Sequence, residues 1–436
     1  MNLGEFVRGC HRRGALVVQP RMGYSDPALM RSGLLATRGA DATTVGTITL
    51  DSYTRVGDLE SVGRALREGI GLNGYPLVNH EPSTTRRVLE GLRPEEFPVQ
   101  VRHGSARPQA IVAALTAAGL HATEGGPVSY CLPYGRTPLE ESVHNWARSC
   151  ELLLERCDFG VEPHLETFGG CMMGQLCPPS LLVALSVLEA LFFHQYGLRS
   201  ISVSYAQQTS PDQDREAVAA LRALCAESLP PTVDWHVVVY TYMGLYPRTA
   251  EGAFALLAQA ARLAVDTGSE RLVVKTAAES HRIPVVAENV AALEHAAAAA
   301  RATTPPAVPP AGTDSQTYRE ARALIDAVLD CHPDIGRALV QAFGRGILDI
   351  PYCVHPDNAG RSRSRIDTDG RLGWAAIGSL PLAGVTEGRR ARPVGSTELM
   401  QALSHVQNKF DAEALENRAR RPVNARGRTV PEEEPV

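Results

Sequence analysis

VQVRHGSARPQAIVAALTAAGLHATEGG, residues 99–126, reads as one strand–helix–strand unit. A short apolar run closes at Arg102, an Ala- and Leu-rich helical stretch covers Gln109–Ala118, and a second run closes at Glu124. Two neighbouring strands joined through a helix run parallel, because the crossover brings the chain back to the end it started from. The same alternation extends in both directions. Candidate strands end near Gln19, Asp51 and His80 before this unit, and near Glu166, Tyr205, Tyr240 and Lys275 after it. Helical patterns at Leu181–Phe193, Arg215–Ser228 and Ala253–Val265 separate the later ones. Repeats of roughly 22 to 42 residues, continued over about 250 residues, suit an α/β fold of the (β/α)8 TIM-barrel type. Nine candidates compete for eight places, so one middle segment, Val78–His80, is read as an extra. A doubly wound sheet is the competing architecture, but no GxGxxG follows the first strand.

The alternation places the barrel in residues 1–350 and leaves 351–436 as a smaller, irregular C-terminal extension. A segment rich in Ala, Thr and Pro (Ala296–Thr313) is expected to be an extended connector leading to a helix at Gln316–Leu329. After Asp349 periodicity fades around Arg361, Arg363 and Arg365. From about Glu387 the chain is charged, and its tail is expected to be partly disordered.

Composition excludes several classes. The 436 residues are 44% hydrophobic and 21% charged, with a formal charge of −5 and no basic stretch interleaved with aromatics, so nucleic acid is not an expected ligand. No run of 18 apolar residues exists, and Arg8, His11, Arg12 and Arg13 occupy the place of a signal-peptide core, so the expectation is a cytoplasmic protein without a membrane span. Nine cysteines without a CxxC pair fit buried thiols in a reducing compartment. Lys275 and Lys409 are the only lysines.

In a barrel of this type the chemistry collects at the C-terminal ends of the strands. Those ends carry Arg21, Arg55 and Arg102. A lone strand-end arginine usually pairs with a nearby carboxylate. Three at one mouth suggest an anion, because guanidinium forks grip carboxylates bidentately and stay charged. Glu124 beside them could be their counter-ion, or could hold an ammonium or shuttle a proton. Tyr130 and Tyr134 could be wall residues or hydrogen-bond donors. Gly125 and Gly126 would let a flat ligand approach, or simply form a turn. Lys275, with Glu279 four residues on, could be a buried ion pair or a Schiff-base nucleophile.

Taken together, the segments resemble the large (epsilon) subunit of the glutamate mutase (methylaspartate mutase) family of adenosylcobalamin-dependent carbon-skeleton mutases. The resemblance runs from about Gln19 to Gly373. Its motifs are Gln-Pro-Arg, Asp51–Arg55, Leu72–His80, Arg102–Gly104, Glu-Gly-Gly, Glu166-Thr-Phe168-Gly, Pro178-Pro179-Ser180, Val274–Thr276, Ile350–Pro351 and Asn358–Gly360. It implies a (β/α)8 barrel and an isomerase acting by radical rearrangement of L-glutamate to (2S,3S)-3-methylaspartate. The substrate-binding arginine trio of that family falls on Arg21, Arg55 and Arg102. The glutamate at the substrate amino group falls on Glu124, and the substrate-binding tyrosines on Tyr130 and Tyr134. Contacts to the adenosyl ribose fall on Lys275 and Glu279, a residue facing the corrin on Phe168, and a loop residue at the mouth on Asn73. No metal ligand is implied on this chain.

The resemblance also implies a separate small (sigma) subunit carrying the cobalamin signature DxHxxG, and a homodimer of this chain within a heterotetramer. The string Asp330-Cys-His332-Pro-Asp-Ile-Gly336 has one residue too many before its glycine and is read as a helix–helix turn. Departures from the family are Tyr240 and Tyr242 in place of His and Trp before Met-Gly, Leu165 in place of an arginine, a short N-terminal segment and a divergent tail. Three alternatives therefore stay open: a relative rearranging another amino or keto dicarboxylate in secondary metabolism, a Schiff-base lyase using Lys275, and a non-catalytic binding subunit.

Overall fold

The computed structural model describes residues 1–158, 160–172, 176–306, 312–386 and 394–420. Eight parallel strands form one sheet: β1 (Val17–Gln19), β2 (Gly46–Thr49), β3 (Val99–Arg102), β4 (Ala122–Gly125), β5 (His164–Thr167), β6 (Ser200–Ala206), β7 (Asp234–Tyr240) and β8 (Arg271–Val273). The spatial order β1-β8-β7-β6-β5-β4-β3-β2 brings the first and second strands to the two edges. The edges meet through a parallel bridge between Val18 and Thr44, with Val18 N–H donating to the Thr43 carbonyl at 2.9 Å. The sheet is thereby a (β/α)8 barrel, with helices outside it.

The surplus strand candidate is settled by geometry. Val78–His80 is a turn, and the chain before it meets the barrel at an isolated bridge, where Tyr75 N–H donates to the Thr49 carbonyl at 2.9 Å. Gly74 makes that approach possible, since a Cβ there would lie 2.6 Å from the Leu50 oxygen. β2 ends at Thr49, close to the end expected near Asp51, and Asp51 itself lies just beyond it. It caps the short helix Ser52–Val56, accepting the backbone N–H groups of Tyr53 and Thr54.

The outer helices bury their apolar faces on the sheet. Pro179–Gln195 is apolar nearly all round and buried along most of its length, being covered by Pro211–Ser228 and Gln316–Leu329 as well as by β5 and β6. Leu3–Arg12 closes the N-terminal end of the barrel against β1, β6 and β7.

Three expectations outside the sheet are corrected. Ala296–Arg301 is the last part of helix Val286–Arg301, because alanine favours helix wherever proline is absent; residues 307–311 of the supposed connector lie outside the described residues. Arg363 and Arg365 lie on a strand, β9 (Arg363–Ile366), paired antiparallel with β10 (Leu372–Ala376). Ser396–Arg420 is a helix packed on Ala250–Asp266, while residues 387–393 and 421–436 of the supposed disordered tail lie outside the described residues. Among the described residues no helix is long and apolar enough to cross a membrane, and all nine cysteines are free thiols.

The barrel interior is polar at its centre. Arg271 is fully buried and donates to Gln19, Gln100, Ser202 and Glu166, the last also forming an ion pair with it. Gln100 in turn donates to Glu166 at 3.2 Å, and Gln19 to Thr47 at 2.8 Å. A charge so buried is tolerated because an ion pair and several acceptors meet its two Nη groups, although its Nε is without a partner among the described residues. Toward the N-terminal end, His164 and His236 stack with ring centroids 5.3 Å apart.

Candidate active site

Arg102, the last residue of β3, points into the mouth beside Glu124 of β4. Its Nε donates to Glu124 Oε2 at 2.7 Å. Burial disfavours the Arg102 charge, but Glu124 and the surrounding tyrosine oxygens outweigh it and hold the pKa well above the usual arginine value. Tyr130 donates to Glu124 Oε1, and Tyr240, at the end of β7, donates to Glu124 Oε2 at 2.9 Å. The Tyr240 hydroxyl also contacts Glu166 Oε1. A hydroxyl has one proton to give, so it can serve only one of the two carboxylates at a time, and Tyr240 bridges Glu124 and Glu166. The result is a continuous buried chain, Arg102–Glu124–Tyr240–Glu166–Arg271, from the mouth to the barrel centre. The Arg102 guanidinium also lies 5.0 Å from the Tyr240 ring centroid.

Two donors in this chain are left over, Arg271 Nε at the barrel centre and Arg102 Nη1 at the mouth. Arg102 Nη1 is buried and has no hydrogen-bond partner among the described residues. A buried donor of a charged group without an acceptor is costly, so this nitrogen marks where a ligand acceptor fits.

The aromatic residues wall the site. Phe168, following β5, packs its ring 4.9 Å from Tyr130, 5.6 Å from Tyr240 and 6.5 Å from Tyr134. Tyr134 remains 45% exposed at the rim. Arg55 donates from Nε to the His103 carbonyl at 3.0 Å and lines a cleft of about 320 Å³ with Tyr130, Tyr134, Gly104 and Arg136. His103 is buried behind Arg102, and burial, then the Arg55 and Arg102 charges, push its pKa down to about 3, so the ring is neutral.

On the other side of the mouth, Arg21 pairs with Glu279 at 2.9 Å. Glu279 also accepts the Thr276 N–H at 3.0 Å, which closes the turn after β8. Lys275 is buried and makes no ion pair among the described residues, so the Lys–Glu pair weighed from the sequence is not the arrangement found. Its ammonium lies over the Tyr246 ring, 4.5 Å from the centroid, and 3.5 Å from the Gly244 carbonyl. Burial, with Arg21 adding to it and Glu279 opposing it, lowers its pKa to about 8. Asn73 braces the second loop instead of standing free: its Oδ1 accepts the Ser52 N–H at 2.9 Å.

Gly125 and Gly126 do not offer a platform for a flat ligand. A Cβ on Gly125 would sit 2.3 Å from Trp146, and one on Gly126 2.0 Å from the Glu189 carboxylate. Glu189 was invisible as a site residue from spacing, although a single acid inside the apolar run Leu181–Phe193 is a usable signal. It is fully buried and accepts the N–H groups of Ser129, Phe168 and Gly169 at 2.9, 3.1 and 2.8 Å. It thereby ties the loops after β4 and β5 to one helix. Tyr240, Glu166, Arg271 and Tyr246 were also not read as site residues. The sequence marks Glu166 and Tyr240 as strand ends; Arg271 and Tyr246 carry no such signal.

Fold and site define a (β/α)8-barrel protein whose mouth gathers arginines, a glutamate and tyrosines around a buried guanidinium with one free donor. A family model for the methylaspartate mutase E chain matches residues 2–392. The glutamate mutase epsilon subunit of Halobacterium salinarum is 33% identical over 347 residues, covering 77% of this chain and 71% of the relative. Those of Escherichia coli O157:H7 and Yersinia enterocolitica are each 30% identical, over 77% and 85% of this chain and 72% and 79% of the relatives. The chain belongs to the methylaspartate mutase E chain family.

Proposed function

We propose that this chain is the substrate-binding, catalytic subunit of an adenosylcobalamin-dependent glutamate mutase, an isomerase interconverting L-glutamate and (2S,3S)-3-methylaspartate. The observation that carries the reading is the buried, partnerless Arg102 Nη1 beside the Glu124 carboxylate. A substrate carboxylate oxygen satisfies the first, and a substrate ammonium can approach the second. Glu124 already accepts from Arg102, Tyr130 and Tyr240, which leaves room for one further donor on its two oxygens. Arg21 and Arg55, on either side, suit the second carboxylate of a dicarboxylate, with Tyr134 at the rim.

The cofactor fits this mouth in part. Lys275 keeps N–H donors to spare and Glu279 sits beside it, so both can meet the hydroxyls of a nucleoside. Phe168 is buried among three tyrosines and presents little surface to a corrin, so its role is to wall the substrate cavity. When bound, the cofactor supplies the radical that starts the rearrangement. The residues of this chain hold charged fragments in place and keep water out of the cavity. The relatives are named as epsilon subunits, which supports a partner subunit that brings the cobalamin-binding DxHxxG sequence, in a heterotetramer built on a dimer of this chain. We place the complex in the cytoplasm.

The test is an anaerobic assay of this chain with a purified small cobalamin-binding subunit, adenosylcobalamin and L-glutamate, with methylaspartate read as mesaconate through ammonia-lyase. Mesaconate with a paramagnetic cob(II)alamin–radical signal supports the reading. A radical signal without mesaconate moves the substrate to another amino or keto dicarboxylate, for which Tyr240 in contact with Glu124 is the favouring observation. No signal with a binding partner present overturns it. A second reading, a Schiff-base lyase, draws on the buried Lys275 with its lowered pKa; borohydride trapping of substrate on Lys275 would establish it.

A further inference from the structure

The Ser396–Arg420 helix lies beyond the stretch that the family model matches, yet it touches the loop that receives Lys275. Three contacts tie it there. Gln407 Nε2 donates to the Tyr246 carbonyl at 2.7 Å. The Asp411 carboxylate accepts the N–H groups of Arg248 and Thr249 at 3.1 and 2.9 Å and the Thr249 hydroxyl at 2.6 Å, which fastens the entry to helix Ala250–Asp266. Val406 and Phe410 are buried in a small apolar cluster of their own with Tyr242, Tyr246 and Ala253, and Ala277 packs against it.

Two further features show that this docking is built into the chain. A Cβ on Gly252 would lie 2.9 Å from the Phe410 carbonyl oxygen, so the two helices approach as they do only because glycine is there. The cluster also spans both loops around the ammonium, Tyr246 after β7 and Ala277 after β8. Tyr246 then meets Lys275 twice, with its ring under Nζ and its hydroxyl donating to the Lys275 carbonyl at 3.4 Å.

We propose that the C-terminal helix is a strap that positions the Lys275 ammonium: through Gln407, Phe410 and Asp411 it holds the Gly244–Thr249 loop against the end of β8 and fixes where the ammonium is presented. Gln407, Phe410 and Asp411 are positioning residues, since none of them touches Lys275. The proposal holds whichever ligand the ammonium meets, and so does not depend on the mutase reading. The groups facing Lys275 are Arg21 after β1, Tyr246 after β7 and Glu279 after β8. Releasing the strap frees the ring and the Gly244 carbonyl, and water reaches the amine.

The two-lysine composition makes this measurable without any activity assay. In full-length protein carrying Lys409→Arg, Lys275 holds the only ε-amine. Competitive acetylation with acetic anhydride across pH, read by mass spectrometry of the Lys275 peptide, gives its titration midpoint and its reactivity. With Gln407→Ala and Asp411→Ala added, the midpoint is expected to rise by about one pH unit toward ordinary lysine, as water replaces the buried setting. Labelling at high pH should speed up several-fold. Tyr246→Leu, which keeps an apolar cover but removes the ring face under the ammonium, should move the midpoint the other way, downward.

Hydrogen exchange over residues 396–420 reports whether the helix has been released, and Phe410→Ala is added if it has not. A released helix with an unchanged midpoint and labelling rate overturns the proposal. So does a lowered melting temperature alone, because that is what a merely stabilising helix would produce. If the double variant fails to fold, Gln407→Ala by itself is read in the same way.

Discussion

Arg102 and Glu124 face each other across adjacent strands in an ion pair of 2.7 Å whose side chains are only 5% and 2% exposed. Taking two charges out of water costs several kcal/mol each, and such a pair holds only with good geometry and with its remaining oxygens and N–H groups met. The carboxylate meets that condition through Tyr130 and Tyr240, but the guanidinium does not, because Nη1 has no partner among the described residues. Arg271 Nε is also without a partner, but it is enclosed at the barrel centre, whereas Arg102 Nη1 lies at the mouth where a ligand can reach it. The imbalance points outward, to a ligand.

Arg102→Lys tests that point directly. A lysine keeps the charge but loses the fork, so it cannot serve Glu124 and a ligand oxygen together in the plane the site provides. The expected outcome is a fall in kcat/KM on the order of 100-fold, or about 2.7 kcal/mol of transition-state stabilisation. Circular dichroism should show the fold unchanged. Near-normal turnover would remove Arg102 from the site.

Glu189 predicts a signature in stability against pH. Burial pushes its pKa up to about 7, against the backbone N–H groups that pull it down, while in the unfolded chain it titrates near 4.5. The folded state therefore holds the proton longer. The stabilising contribution of this group is full below about 4.5, is lost as pH rises toward about 7, and is level above that. Glu189→Gln should remove this slope while weakening the grip on the Ser129, Phe168 and Gly169 N–H groups. Urea midpoints of both proteins across that window provide the check; parallel curves would show that Glu189 does not change charge there.

The His164–His236 stack predicts the opposite slope. Burial, then Arg271, holds both rings well below their ordinary value of 6.5. The unfolded chain takes up these protons first, so stability falls as pH drops below about 6.5 and is level above it. Neither nitrogen of His236 has a hydrogen-bond partner among the described residues. His236→Phe should therefore cost less than about 1 kcal/mol at neutral pH, because no bonded donor is removed. It should also melt higher than the parent at pH 5. A variant that melts lower than the parent at both pH values would show that an unseen partner serves the ring.

His332 is predicted to have no part in holding cobalt. It sits in the turn between helices Gln316–Leu329 and Ile335–Arg345, where its Nδ1 accepts the Asp334 N–H at 2.9 Å. Asp334 in turn caps the second helix. The residues resembling a cobalamin signature are thus occupied with ending one helix and starting the next. Cys331→Ala with His332→Ala should leave adenosylcobalamin uptake by the reconstituted complex unchanged in equilibrium dialysis, and loss of uptake would reopen the motif.

The order of strands and helices was legible from residues alone, because burial of parallel strands demands apolar runs and the covering helices demand their own period. Strand-end reading also found Arg21, Arg55, Arg102, Glu124 and Lys275, since barrel topology turns a position along the chain into a position at the mouth. It overcounted at Val78–His80, where an apolar stretch packs on the barrel as a turn, and it read Ser396–Arg420 as tail because that helix buries only Val406 and Phe410.

What the chain by itself determined was the barrel, the family and the set of charged groups at the mouth. What tertiary structure alone decided was their partners: Glu279 with Arg21 and not with Lys275, Tyr246 under the ammonium, Tyr240 between two acids, and Glu189 reaching in from an outer helix. Those pairings join residues 20 to 258 positions apart, and local periodicity carries no information about which distant groups meet. Only closure of the sheet, with every buried charge then having to find an acceptor, selects them.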